Sequence, residues 1–202
     1  VYRKVVKDAE QQKLIDLNEL LQLPNYQAYL YQWLSPFGFS AWQDIYELVK
    51  AQSGKQIFSE HFRLLKDRET LLLEPKSIRK TEEYFLERNQ SELNFPLKLR
   101  LCQVDDITID SNKAIFVDAE KIHFPLILRK WKEGDVFHPF GMKGKSKKLS
   151  KLFKDEKLSL IEKEKIWILC SDNQIVWVIG IRQDERFKIE NTTNEIIKIE
   201  LL

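Results

Sequence analysis

Apolar residues recur every three or four positions early in the chain and every second position later. Leu14, Leu17 and Leu21 open the helical pattern. Tyr26, Tyr29, Leu30, Trp33, Leu34 and Phe37 continue it along one face of an α-helix, which Pro36 and Gly38 close. Ser40 and Gln43, three residues apart, predict a capping box at the start of a third helix with Trp42, Ile45, Tyr46 and Val49 on its apolar face. Gly54 suits the left-handed residue beyond such a helix. Aromatic stripes at this spacing read as core rather than as a platform for stacking bases.

From residue 55 the period shortens. Phe58, Phe62 and Leu64, the turn Asp67-Arg68-Glu69, and Leu71–Leu73 predict a hairpin ending at Pro75. Residues 76–95 are charged and weakly patterned, which predicts a linker. Leu97, Leu99 and Leu101 alternate with polar neighbours as a half-buried strand. Ile107 with Ile109, a Ser111-Asn112 turn, and Ile115 with Val117 extend the β pattern. Residues 166–170, an Asp172-Asn173 turn and residues 175–181 predict another hairpin. Phe187 with Ile189, and Ile196–Ile199, predict edge strands. The fold class is α+β. A helical segment with a terminal hairpin (residues 1–75) is followed by a linker and β segment (76–125). A small mixed α/β domain with antiparallel hairpins and a basic, glycine-containing loop completes the chain (126–202).

Composition adds boundaries. With 43% hydrophobic and 32% charged residues, and only 6 Gly and 6 Pro among 202, the chain is a folded protein and not a disordered or collagen-like one. No apolar run approaches the roughly 18 to 20 residues of a membrane span, so no membrane is expected as a partner. Residues 1–8 lack the apolar core of a signal peptide, and the single methionine is Met142. These features predict a cytoplasmic segment of a longer gene product. Cys102 and Cys170 sit in apolar stretches, which suits buried free thiols, and His61, His123 and His138 lack metal-ligand spacing.

The formal charge of +2 conceals an asymmetry. Residues 1–128 carry 17 Lys and Arg against 19 Asp and Glu, residues 129–157 carry 10 against 4, and residues 158–202 carry 6 against 8. The positive excess therefore occupies one window. Three of the 6 glycines, Gly134, Gly141 and Gly144, fall in the same window and shape its loop. Lys143, Lys145, Lys147, Lys148 and Lys151 surround that loop and run into a short amphipathic helix bearing Leu149, Leu152 and Phe153. Backbone amides and positive charge would coincide there, which suits the phosphates of RNA or another polyanion. The other reading is a solvated lysine-rich face. Gly144-Lys145-Ser146 imitates the end of a nucleotide-binding P-loop, but Pro139 stands where that motif needs its first glycine. Asp135 and His138 lack a nucleophile with supporting context, so no catalytic residue and no metal site is expected in this chain.

Three separated blocks carry a resemblance. They are Arg129-x4-Gly134-Asp135-x-Phe137-x-Pro139-x-Gly141-Met142-x-Gly144; then Lys147-Lys148-Leu149-x-x-Leu152-Phe153; then Trp177-Val178-x-Gly180-x-Arg182-x-Asp184-x-Arg186-Phe187. In this order they resemble the C-terminal domain of the bacterial tRNA(Ile)-lysidine synthetase (MesJ-type) family over about residues 126–190. Residues 8–52 and the hairpin after Ser53-Gly54-Lys55 resemble the family's connecting region more loosely.

The resemblance implies a parent ligase that uses ATP to join lysine to the wobble cytidine of the isoleucine tRNA with anticodon CAU. That chemistry belongs to an N-terminal PP-loop domain carrying SGGxDS, a motif that does not occur in this sequence. The expectation is therefore a chain inactive by itself, with no cofactor of its own, whose parent uses ATP and Mg in the PP-loop domain. Implied partners are that domain and the tRNA, gripped on the acceptor-stem side; a homodimer is left open. Implied tRNA contacts are Arg129, Lys130, Lys143, Lys145, Lys147, Lys148, Lys151 and Arg182, with Asp135 or Asp184 as alternative partners for the two arginines. The competing function is a protein-interaction or scaffold module whose basic loop meets an acidic partner.

Overall fold

The computed structural model describes residues 1–9, 12–76, 82–107 and 113–202. The chain divides into two compact units, Val1–Arg79 and Lys80–Leu202.

The first unit opens with a single helical turn, Tyr2–Val5 (α1), and a hairpin of Val6–Ala9 (β1) and Gln12–Asp16 (β2). Leu14, expected on a helix, is therefore on a strand; the helical period begins only at Leu17. Asp16 accepts hydrogen bonds from the amides of Asn18 and Glu19, capping Leu17–Leu21 (α2). Tyr26–Leu34 (α3) runs into a 3₁₀ turn at Ser35–Phe37, and Gly38 ends it with φ 74°. Trp42–Leu48 (α4) follows, but the expected capping box is not formed: its N-cap is Ala41, and the Gln43 amide binds Glu47 instead. Gln56–Phe58 (β3), Phe62–Asp67 (β4) and Thr70–Pro75 (β5) complete an antiparallel sheet ordered β1-β2-β5-β4-β3. Leu20, Leu30, Leu34, Ile45 and Leu48 from the helices share one core with Ile15, Leu64, Leu71 and Leu73 from the sheet. Tyr26, Trp33, Phe37, Trp42 and Tyr46 of the aromatic stripes are half-buried and pack against this core.

The second unit supplies Glu83–Leu86 (β6), Glu92–Leu93 (β7), Leu99–Val104 (β8), Ala114–Asp118 (β9), Leu126–Lys130 (β10), Val136–Phe137 (β11) and Lys147–Lys148 (β12). Helices Leu149–Asp155 (α5) and Leu160–Lys165 (α6) follow, then Trp167–Ser171 (β13), Gln174–Val178 (β14), Arg182–Gln183 (β15) and Ile196–Leu201 (β16). Residues 83–93, read from sequence as linker, instead supply two strands to the sheets of this unit. The Ile109 position and the Ser111-Asn112 turn lie outside the described residues. The 172–173 turn has two positive φ values, 45° and 63°, as a tight hairpin requires.

Two sheets, β7-β8-β16-β9 and β15-β14-β13-β10-β6, sandwich one core made by Leu99, Ile115, Val117 and Ile199 against Leu126, Leu128, Leu169 and Trp177. The opposite face of the second sheet presents Ile168, Cys170, Ile175 and Val178 to Leu149, Leu152 and Phe153 of α5. Being covered on both sides, β13 and β14 read as continuous apolar runs rather than alternating ones. Two sequence expectations change here. The 196–199 strand is interior, between β8 and β9, and residues 185–187 form a 3₁₀ turn rather than an edge strand.

Candidate nucleic-acid interface

The basic window is a loop and helix laid over the outer face of the second sheet. Leu149, Leu152 and Phe153 are fully buried. At about 1.5–3 kcal/mol each, their burial fixes α5 to the sheet, leaving Lys148, Lys151 and Lys154 exposed. Strands β11 and β12 pair Val136 with Lys148 and Phe137 with Lys147, so residues 138–146 form a closed excursion between them.

That excursion is fastened to β15 and the following turn. The Phe140 amide donates to the Gln183 carbonyl at 3.0 Å, and the Glu185 amide donates to the His138 carbonyl at 2.7 Å. The His138 amide donates to Asp184 Oδ2 at 2.8 Å, and the Gly144 amide donates to Glu185 Oε2 at 2.8 Å. Asp184 is fully buried and also binds Arg186 through its backbone amide, Nε and Nη2. A carboxylate in such a place is tolerable only because these donors surround it. The structure thereby joins two of the blocks that lie some forty residues apart in the sequence.

Several amides of the loop are already bonded within the protein. Those of Phe140, Met142, Gly144 and Lys145 bind Gln183, Pro139, Glu185 and Met142, and the amide opening α5, from Leu149, binds the Asp135 carbonyl. Gly141 and Gly144 have φ of 87° and 72°, so their role is to turn the chain. Gly134 likewise has a positive φ.

The expected basic residues separate into two groups. Arg129 forms a bidentate pair with Asp135, Nη1–Oδ2 3.0 Å and Nη2–Oδ1 2.9 Å, with the side chains only 14% and 13% exposed. This hydrogen bonding holds the guanidinium above its usual range. Lys130 lies 4.1 Å over the Trp167 ring and donates to the Lys165 carbonyl; burial lowers its pKa. Lys147 pairs with Asp155 at 2.7 Å. By contrast, Lys143, Lys145, Lys148, Lys151 and Arg182 are exposed and make no ion pair among the described residues. Asp184 pairs with Arg186, not with Arg182. Sequence reading missed the fastening role of Asp184, Glu185 and Arg186, although two of them stand in the quoted block. Among the described residues no three His, Cys, Asp or Glu side chains are grouped as metal ligands, and no helix is long and apolar enough to cross a membrane.

Family models place this architecture. One described as the TilS substrate binding domain matches residues 8–76, and one described as the TilS substrate C-terminal domain matches residues 126–201. The tRNA(Ile)-lysidine synthase of Parabacteroides distasonis is 37% identical over 100% of this chain. This chain belongs to the tRNA(Ile)-lysidine synthase family. The Bacteroides thetaiotaomicron synthase is 38% identical over 98% of it. The chain spans about half the length of these curated relatives, 48% and 46%. A crystal structure of a TilS C-terminal domain shares the fold, with a TM-score of 0.50 and 21% identity, over 59% of this chain and 96% of its own. The exposed lysines and the fastened loop lie inside the TilS C-terminal match. Strands β6 to β9 lie outside both family matches yet build the same sandwich.

Proposed function

We propose that this chain is the tRNA-gripping portion of a lysidine synthase, in which Lys143, Lys145, Lys148, Lys151 and Arg182 contact tRNA phosphates. The observation that carries it is the charge left over after pairing. The carboxylates of Asp135, Asp155, Asp184 and Glu185 are engaged within the protein, and exposed lysines remain on a loop and helix fixed to a sheet. An A-form stem hides its base edges in a deep groove, so such a surface reads backbone and shape. Ordered phosphate contacts position the stem without specifying sequence.

The reading includes a parent reaction, in which an ATP-dependent ligase joins lysine to the wobble cytidine of the CAU-anticodon isoleucine tRNA in the cytoplasm; similarity to tRNA(Ile)-lysidine synthases supports it. This chain carries no SGGxDS. ATP and Mg are assigned to a PP-loop domain outside these residues, and the chain by itself binds RNA without ligating.

Fluorescence anisotropy across a salt titration, with isoleucine tRNA, methionine tRNA and an acceptor-stem minihelix, tests the reading. The triple variant K143E/K148E/K151E is expected to lower the log–log salt slope by roughly 2 to 3, since each phosphate contact contributes about 0.7–0.9. An unchanged slope would sink the assignment. Binding to heparin as tight as to tRNA would favour the scaffold reading instead.

A further inference from the structure

Phe140 is 52% exposed at the tip of the basic loop, and among the described residues no aromatic ring packs against it. Single exposed apolar residues are ordinary on protein surfaces. Phe140 differs in how firmly its backbone is held. Pro139 before it is buried and bridged to Asp184, its own amide is bonded to Gln183, and Gly141 after it turns the chain with φ 87°. A Cβ built on Gly141 would meet nothing within 4 Å, so the space beside the ring's backbone is open. A fully buried carboxylate and its donors hold this one turn in place, and the turn presents an aromatic side chain to solvent.

The electrostatic setting favours a polyanion as the occupant. Lys143 and Lys145 follow Phe140 in the same loop, and Arg182 is next to the residue that fixes its amide. All three are exposed, whereas Asp184 and Glu185 are turned into the fastening contacts. An exposed ring bordered by free cations matches the two needs of unpaired RNA: stacking for a base and charge for its phosphates. In a duplex interior both faces of each base are already covered, so the ring can stack only where a base is unpaired.

We propose that Phe140 is a base-stacking residue that receives an unpaired nucleotide of bound RNA, beside the lysines that hold the phosphates. This rests on the RNA-binding reading above and adds to it a contact independent of charge.

The test uses the full chain and an RNA stem-loop with or without an unpaired 3′ overhang. Phe140→Leu keeps an apolar side chain and removes the ring, Phe140→Trp keeps a ring, and thermal melting confirms that each variant is folded. In the wild type the overhang is expected to tighten binding about tenfold, a typical gain for one stacked base. Phe140→Leu should lose that gain with an unchanged salt slope, and Phe140→Trp should retain it. If the overhang adds as much affinity to Phe140→Leu as to the wild type, or adds none to the wild type, the stacking role is overturned. K143E/K148E/K151E separates the two readings: a reduced slope in that variant together with an intact overhang gain in Phe140→Leu rejects only the stacking role. Wild-type binding by both variants rejects the RNA-binding surface as well.

Discussion

The Asp184 carboxylate grips the Arg186 guanidinium through two bonds, Nε–Oδ1 at 2.9 Å and Nη2–Oδ2 at 2.8 Å, while the His138 amide occupies the same Oδ2 at 2.8 Å. One buried acid therefore ties the 138–146 loop to the turn after β15. Asp184→Ala would leave Arg186 and the His138 amide without their acceptor, and a loss of about 3–5 kcal/mol in urea unfolding is expected. A loss below about 1 kcal/mol would show that the acid is dispensable to the unit.

Arg129 is a structural residue in this arrangement. Its two bonds to Asp135 close the turn after β10, where the Asp135 side chain also accepts from the Lys132 amide at 2.6 Å. Arg129→Lys cannot reproduce the planar fork and should cost about 1–3 kcal/mol of stability. The salt slope of RNA binding should be the same as in the wild type; a slope reduced by about 1 would instead make Arg129 a phosphate contact.

Glu185 adds a pH dependence to the loop. The Gly144 amide, more than the nearby Lys188, holds its carboxyl below the ordinary 4.5. A depressed carboxylate stabilises the folded form above its unfolded pKa, and that contribution disappears as pH falls through the folded value. Hydrogen exchange of the Gly144 amide, corrected for its intrinsic rate, should show protection at neutral pH that declines only once the pH has fallen below the ordinary glutamate value of 4.5. Glu185→Ala should show little protection at either pH.

Cys170 makes the opposite prediction at alkaline pH. Burial beneath α5 pushes its thiol from 9.0 up to about 11. Between those values the unfolded chain has lost a proton that the folded chain keeps, so stability falls as pH rises through this window and levels off above it. The full effect is about 3 kcal/mol. Urea midpoints measured from pH 8 to pH 11 should fall more steeply in the wild type than in Cys170→Ala, whose equal slope would refute the assignment. Native protein should also leave Cys170 unmodified by a thiol reagent that labels it after unfolding.

Much of the architecture was readable from local pattern. The 3.6-residue period of 26–37, the hairpin turns at 67–69 and 172–173, and the amphipathic Leu149-Leu152-Phe153 stripe each encode their element within a few residues. The Gly and Lys composition of 134–151 located the basic loop for the same reason. Strands β6 and β7 escaped because they are only four and two residues long within a charged segment, and the partner of β6, β10, is distant in sequence. The capping box failed because an N-cap needs a backbone conformation as well as a spacing, and the chain places Ala41 there.

What the sequence determined by itself is the class of elements, the family blocks and the sign of the charge, since these depend on residue type and short-range periodicity. Which cations are free was decided only by the tertiary structure. Arg129, Lys130 and Lys147 look as available in the sequence as Lys143 or Lys148. Folding gives the first three an aspartate, a tryptophan face and a second aspartate. Likewise, Asp184 and Glu185 meet the glycine loop across some forty residues, a distance at which composition carries no information about pairing. Charge follows from composition, but its availability depends on which opposite charges the fold brings within hydrogen-bonding distance.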